Sequence, residues 1–257
     1  MALLRRVSQL AFLVLTIPFC TLGAEPEGDG PRICVMAPLG IVIGSNTTVS
    51  IRGLKLADAT EVFFRTPTQS INAKIKEKKT VELPTGLVAK DVGDSLVIAD
   101  VAVPSGLVDS QMMVSVVTSA GITRSFAVQL VEAGLFMPEG GANNGFLEAQ
   151  PIAFGKRVFG TITPDRDVDV FAITGHAKKN LVAEVRAMQA GSLLDGVLTL
   201  YDAKGRVLAT HDDRANTRDP QLRFTFPVDG TYFLALQDAN DRGTAWHGYE
   251  LRVQEEP

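Results

Sequence analysis

Two cysteines, one tryptophan and three histidines are all that 257 residues carry of these types, and each scarcity removes a class of chemistry. Cys20 falls inside an N-terminal apolar stretch, which leaves Cys34 alone in the chain that follows. A single cysteine builds no internal disulfide framework and no cysteine-based zinc cage. The histidines (His176, His211, His247) are dispersed, and neither His-Glu-x-x-His nor a Gly-x-Ser-x-Gly elbow occurs. Ready-made zinc-protease and nucleophile-elbow arrangements are therefore absent. Charge of one sign is missing too: 25 basic and 29 acidic residues leave a net −4, which predicts no nucleic-acid partner. The one basic run, Lys74 to Lys79, is interrupted by Glu77 and reads as a solvated strand end or loop. No apolar stretch approaches the ~20 residues that span a bilayer, so no membrane span is expected in the mature protein. Helical periodicity is scarce, with candidates only at 85–91 and 146–151.

What is present begins with an export signal. Arg5 and Arg6 precede the apolar Leu10 to Phe19, and small residues follow at Gly23 and Ala24. This order predicts a signal peptide over 1–24 and an exported protein of the periplasm, cell surface or medium. Ile17-Pro18-Phe19 is too bulky ahead of Cys20 for a typical lipobox. After residue 30 nearly everything reads as short strands broken by glycine- and proline-bearing turns, which predicts an all-β chain of sandwich domains.

The first module is expected over 33–132, with strands around Val49-Ile51, Val62-Phe64 and 96–103 and a hairpin over 112–130 turning at Ser119-Ala120-Gly121. Residues 133–145, rich in glycine and asparagine, read as a linker. The second module, 146–257, alternates more cleanly: strands are predicted at 157–162, 167–174, 181–189, 196–202, 206–211, 221–226, 231–238 and 248–254. Leu222, Phe224 and Phe226 share one face, as do Tyr249, Leu251 and Val253. One packed and one wet face follows from that period, and eight such strands predict a two-sheet, jelly-roll-like sandwich.

Gly160-Thr161-Ile162, Asp167-Val168-Asp169-Val170-Phe171, Leu198-Thr199-Leu200-Tyr201-Asp202, Asp229-Gly230-Thr231-Tyr232-Phe233 and Tyr249-Glu250-Leu251 occur in the order of the bacterial pre-peptidase C-terminal domain, which residues 138–254 resemble. The resemblance implies a secreted accessory sandwich without an active site, some of whose relatives bind calcium. The first module resembles, more loosely, the immunoglobulin-like IPT/TIG domains, through Pro38, Gly44, Val49-Ser50-Ile51-Arg52-Gly53 and Phe126-Ala127-Val128.

Calcium is the candidate cofactor, because it takes several hard oxygens. Asp165, Asp167 and Asp169 alternate, but Val170 and His176 stand where an EF-hand needs glycine and glutamate. Side chains two apart on a strand share a face, so Asp167 and Asp169 are ligand candidates. In the calcium-binding relatives ligands come partly from the preceding linker, which here offers Glu139, Asn143 and Asn144; Asp212 and Asp213 are further candidates. As turn caps and wet-face decoration, the same aspartates would need no ion. Trp246 and Arg242 are candidate contact residues in a turn-like run. The expected function is non-catalytic binding or adhesion toward an extracellular protein or polysaccharide. Two alternatives stand beside it: a structural or assembly accessory, and a hydrolase with an unrecognised site. The Asn46-Thr47-Thr48 sequon is idle in a bacterial source.

Overall fold

The computed structural model describes residues 30–256, so the expected signal peptide and Cys20 lie outside the described residues. In the first module the strands are β1 (Arg32–Ala37), β2 (Gly40–Val42), β3 (Asn46–Leu54), β4 (Glu61–Arg65), β5 (Ser70–Thr80), β6 (Ser95–Ala102), β7 (Gln111–Thr118), β8 (Gly121–Ile122) and β9 (Phe126–Val131). They run β1-β3-β6-β5-β4-β7-β9-β2, with β8 on β7. Folded into two layers, this is the immunoglobulin arrangement. Pro38 divides the first strand, whose β1 half joins β3 in one layer and whose β2 half runs parallel to β9 in the other.

Strand β5 ties the layers together. Its Ser70–Ala73 part pairs with β4, and from Lys74 to Thr80 it pairs with β6, with a register break between Ile75 and Glu77. The lysine run is the solvated end of an eleven-residue strand, as expected of it, and not a loop. The following connection is held by Arg52, buried, whose guanidinium donates to the carbonyls of Glu82 (2.5 Å) and Val92 (3.1 Å). Its helix candidate at 85–91 shrinks to the single turn α1 (Ala89–Val92). Val49, Ile51, Phe64, Val97, Met112, Val114 and Val116 fill the core.

The second module comprises β10 (Phe136–Pro138), β11 (Gln150–Pro151), β12 (Arg157–Thr161), β13 (Val168–Gly175), β14 (Asn180–Arg186), β15 (Gly196–Tyr201), β16 (Val207–His211), β17 (Gln221–Thr225), β18 (Gly230–Asp238) and β19 (Gly248–Glu256). Sheets β10-β12-β19-β14-β17 and β11-β13-β18-β15-β16 face each other. Without the short β10 and β11, the eight long strands fall into the sets 1-8-3-6 and 2-7-4-5, the jelly-roll order. Phe171, Leu181, Leu198, Phe226, Leu234, Tyr249 and Leu251 pack between the sheets, each fully buried large apolar side chain contributing about 1.5–3 kcal/mol.

Two local expectations change. Residues 146–151 form a turn and the parallel strand β11 rather than a helix. Strand β14 stops at Arg186, not 189, because Met188–Ala190 curl into a 3-10 turn. Asp219, fully buried, accepts from the amides of Met188 (2.7 Å) and Gln189 (3.0 Å) and so caps that turn. Asp219→Ala is expected to cost about 1–2 kcal/mol, a lost cap with two orphaned donors; a chemical denaturation midpoint unchanged from wild type would refute this.

The modules touch directly. A Cβ on Gly40 would come within 2.2 Å of the Phe159 ring, and one on Gly191 within 2.2 Å of the Phe126 ring. Arg157 donates to the Leu130 carbonyl (3.2 Å) and Arg186 to Gln129 (3.1 Å). Behind Arg157 lies Glu250, 1% exposed, bonded by Arg157 Nε and Arg252 Nε at 2.5 Å each. Burial opposes its charge, but the bonds from Arg252 and Arg157 hold the carboxyl below its usual range. The stretch 133–145 is not a free tether either: β10 pairs with β12, and Glu139 N donates to Phe159 O. Among the described residues no helix is long and apolar enough to cross a membrane.

Candidate functional site

The strap between β10 and β11 lies against the start of β13, and here the structure gathers Glu139, Asn143, Asn144, Asp167 and Asp169. Glu139 directly follows β10, and its Oε2 accepts from Thr161 N at 2.8 Å. Asn143 is 2% exposed; its carbonyl accepts from Val170 N, and its Nδ2 is buried without a partner. Asn144 Nδ2 donates to Asp167 Oδ1 (3.1 Å). Asp167 also accepts from Val168 N (3.0 Å) and, through Oδ2, from Thr163 N (2.8 Å). Asp169 is fully buried: Tyr249 donates its hydroxyl to Oδ2 at 2.7 Å, while no donor reaches Oδ1.

Burial and crowding work against charge on two of these carboxyls. Burial pushes Asp169 up to about 8, and the neighbouring charges of Glu139 and Asp167 add to the rise, against the Tyr249 hydrogen bond. Glu139 is raised as well, first by burial and then by Asp167, against the Thr161 amide. Neighbouring carboxyls disfavour one another's charge, and of the two it is Asp169, the more deeply buried, whose protonated form is favoured most. The Tyr249 phenol is driven well above its usual value by burial and by the same negative neighbours.

Calcium takes six to eight oxygens; the groups gathered here carry carboxylate and carboxamide oxygens, and Asp169 Oδ1 is a buried carboxylate oxygen that no donor reaches. Among the described residues no three Asp, Glu, His or Cys side chains stand where they could hold a metal ion by themselves, so the two asparagines would have to share the ligation. Tyr249 carries no local signal as a site residue; in sequence it belongs to the core alternation with Leu251 and Val253. A buried tyrosine hydroxyl requires a partner, and that partner is Asp169.

The other candidates lie elsewhere. Asp212 and Asp213, both exposed, follow β16 at the far edge of its sheet, where Asp212 accepts from the Asp213 amide. Asp165 caps another loop by accepting from Gly243 N at 2.8 Å. Arg242 is exposed and Trp246 half-buried, in a loop held by Leu193 N on the Trp246 carbonyl and by Thr244 on His247. Burial keeps the His247 imidazole below its usual range, against the pull of Asp238 and Asp165. His176 pairs with Glu255 (2.7 Å). Cys34 points at the Lys90 carbonyl (3.8 Å), its thiol raised by burial.

Comparison with known proteins matches part of the second module. Residues 167–238 match the bacterial pre-peptidase C-terminal domain. Over 104 residues the chain is 44% identical to a probable subtilase-type serine protease of Deinococcus radiodurans, covering 38% of the chain. The chain spans only 14% of that relative's length. Among solved structures, a periplasmic inhibitor of g-type lysozyme from Aeromonas hydrophila aligns at 14% identity and a TM-score of 0.34, over 42% of this chain and 96% of that one. The CBM51-2 and INT domains of Clostridium perfringens ZmpB align at 13% identity and 0.29, over 72% and 42%. Likeness of that degree carries no functional argument; the similarity that bears on the fold is the match of Asp167 to Asp238 to the pre-peptidase C-terminal domain.

Proposed function

We propose that the chain is an exported, non-catalytic binding protein whose second module takes a calcium ion between the strap and β13. The observation that carries the calcium reading is the crowded carboxyl group itself. Asp169 is fully buried, its carboxyl is pushed up by that burial beside Glu139 and Asp167, and one of its oxygens has no donor. A cation of charge two would displace the proton and supply what that oxygen lacks. Glu139, Asn143, Asn144, Asp167 and Asp169 would hold it, with Tyr249 fixing the orientation of Asp169.

The strap then becomes a fixed joint. Glu139 hangs on Thr161 at one side of β12, while neighbouring Phe159 seats against Gly40 of the first module. Two sandwiches locked at this joint present their loops and sheet faces to an extracellular protein or polysaccharide, and the IPT/TIG-like character of the first module suits such display. Calorimetric titration of the mature chain with calcium, paired with small-angle scattering before and after, tests this. Saturable heat at about one ion per chain with a more compact shape is expected; no heat and an unchanged profile would sink it. The relative's protease description favours an accessory role as second reading, since the match covers one small part of that enzyme. Under that reading, deleting residues 146–257 abolishes export or assembly rather than ligand capture.

A further inference from the structure

Between Glu139 and Pro151 the chain makes a long excursion, and ordering each of its residues costs about 1–2 kcal/mol of backbone entropy. Its base is tied by one side chain: Gln150 Oε1 accepts from Gly140 N (2.7 Å) and Nε2 donates to Pro138 O (3.0 Å). Its far end is tied by an aromatic ring. Phe146 stacks on Phe233 of β18 at 4.8 Å between centroids and meets Tyr201 of β15 edge-on at 5.1 Å. Gly205, in the turn after β15 with φ +74°, leaves room for the ring; a Cβ there would sit 3.1 Å from Phe146 Cε2.

Phe146 remains 40% exposed and Leu147 beside it is 97% exposed, so the ring adds little to the core. Its position in the chain matters more. Asn144 is two residues away and Asn143 three, and consecutive Cα atoms are ~3.8 Å apart, so the ring's seat is a third anchor for this stretch beside the Val170 N–H on the Asn143 carbonyl and the Asn144 bond to Asp167. We infer that Phe146 is a latch: docked on Phe233, Tyr201 and Gly205, it is the positioning residue that holds Asn143 and Asn144 ready for the cation. This rests on the calcium reading above. A ligand loop held in its bound form before the ion arrives spends less of the binding energy on ordering.

The test uses the full mature chain and Phe146→Ala, Phe146→Leu and Gly205→Ala, with two readouts: calcium affinity by calorimetry, and hydrogen exchange over residues 139–150 in a chelator. Phe146→Ala should weaken calcium about 10-fold or more, the range for removing a group that orients metal ligands, and should speed exchange in the strap. Phe146→Leu should restore most of both, and Gly205→Ala, which crowds the seat, should resemble Phe146→Ala. Wild-type affinity and wild-type strap exchange in Phe146→Ala would overturn the latch. If the wild-type chain takes up no calcium, the calcium reading falls, and exchange in the strap alone decides: faster exchange in Phe146→Ala upholds the latch, equal exchange removes it.

Discussion

In a chelator, the thermal midpoint is expected to fall as pH rises from about 5 to about 8, and saturating calcium is expected to abolish that fall. The sign follows from Asp169 and Glu139. Both carboxyls are raised in the folded protein, Asp169 to about 8 from an ordinary 3.8, whereas the unfolded chain releases these protons near pH 4. Between those values the folded state binds more protons than the unfolded one, so stability drops with each step upward in pH. The stabilisation is whole below about pH 4 and gone once pH passes the folded value. Each unit of displacement corresponds to ~1.4 kcal/mol. Water entry and relaxation reduce the sum, leaving a few kcal/mol, on the order of 10 °C in the midpoint of a small domain. Glu250 works in the opposite direction, because its depressed carboxyl stabilises above its unfolded value and loses that contribution only in acid. The chelated protein should therefore be most stable on the acid side of neutrality.

Calcium reverses the slope because it binds the ionised cluster and releases the proton, so its affinity rises with pH. Melts at pH 5.5 and 8.0, each with chelator and with calcium, decide the matter. A chelated midpoint that is flat or rising over this interval, together with no calcium effect at pH 8.0, would mean that the carboxyls are not crowded as described. An Asp169→Asn chain should melt without this pH slope, which assigns the effect to the cluster rather than to the surface.

How much of this was legible in the sequence depends on what each segment buries. The second module was legible because its strands each have one dry face: Leu222 and Phe226, or Tyr249, Leu251 and Val253, alternate with polar neighbours without interruption. Strand β5 was not. After Ala73 it passes from β4 to β6, and from Lys76 to Thr80 every side chain is exposed, so only backbone pairing with β6 identifies that end as a strand. Strands β10 and β11 are three and two residues long and depend on partners distant in sequence. The acidic cluster was partly legible. Asp167 and Asp169 share a face by the period of a strand, and Glu139, Asn143 and Asn144 stood in the preceding segment. Nothing local separates them from Asp212 and Asp213, which also sit at a strand end; only the strap's path over β13 brings the first five together. Tyr249 escaped notice because a tyrosine among core residues looks like packing until its hydroxyl is followed to Asp169. Phe146 escaped because an aromatic ring beside glycines in a linker gives no sign of where it docks.

Gly160→Ala is expected to abolish the calcium response and to destabilise the second module by several kcal/mol. A Cβ at this position would lie 2.3 Å from the Tyr249 hydroxyl oxygen, 2.4 Å from its Cζ and 2.5 Å from Glu139 Oε2, none of which a real methyl tolerates. Gly160 pairs with Tyr249 in the β12–β19 ladder, so the backbone cannot retreat without breaking the pairing of Phe159, which holds the module contact. Tyr249 cannot swing away, because its ring is fully buried against Phe171 and packed cores absorb even one methylene poorly, at about 1–3 kcal/mol for overpacking. The remaining escape is for Glu139 to leave Thr161, which orphans a backbone amide at about 1–3 kcal/mol more and removes an anionic ligand from the cluster. The control is Gly155→Ala: no atom outside its chain neighbours lies within 4 Å of the added Cβ, but the residue has φ +83°, so it reports backbone strain without a clash at the site. Circular dichroism melts of the two variants with and without calcium separate the effects. Loss of calcium response in Gly160→Ala alone is expected, and a full response there would show that Glu139 and Tyr249 do not jointly frame the ion.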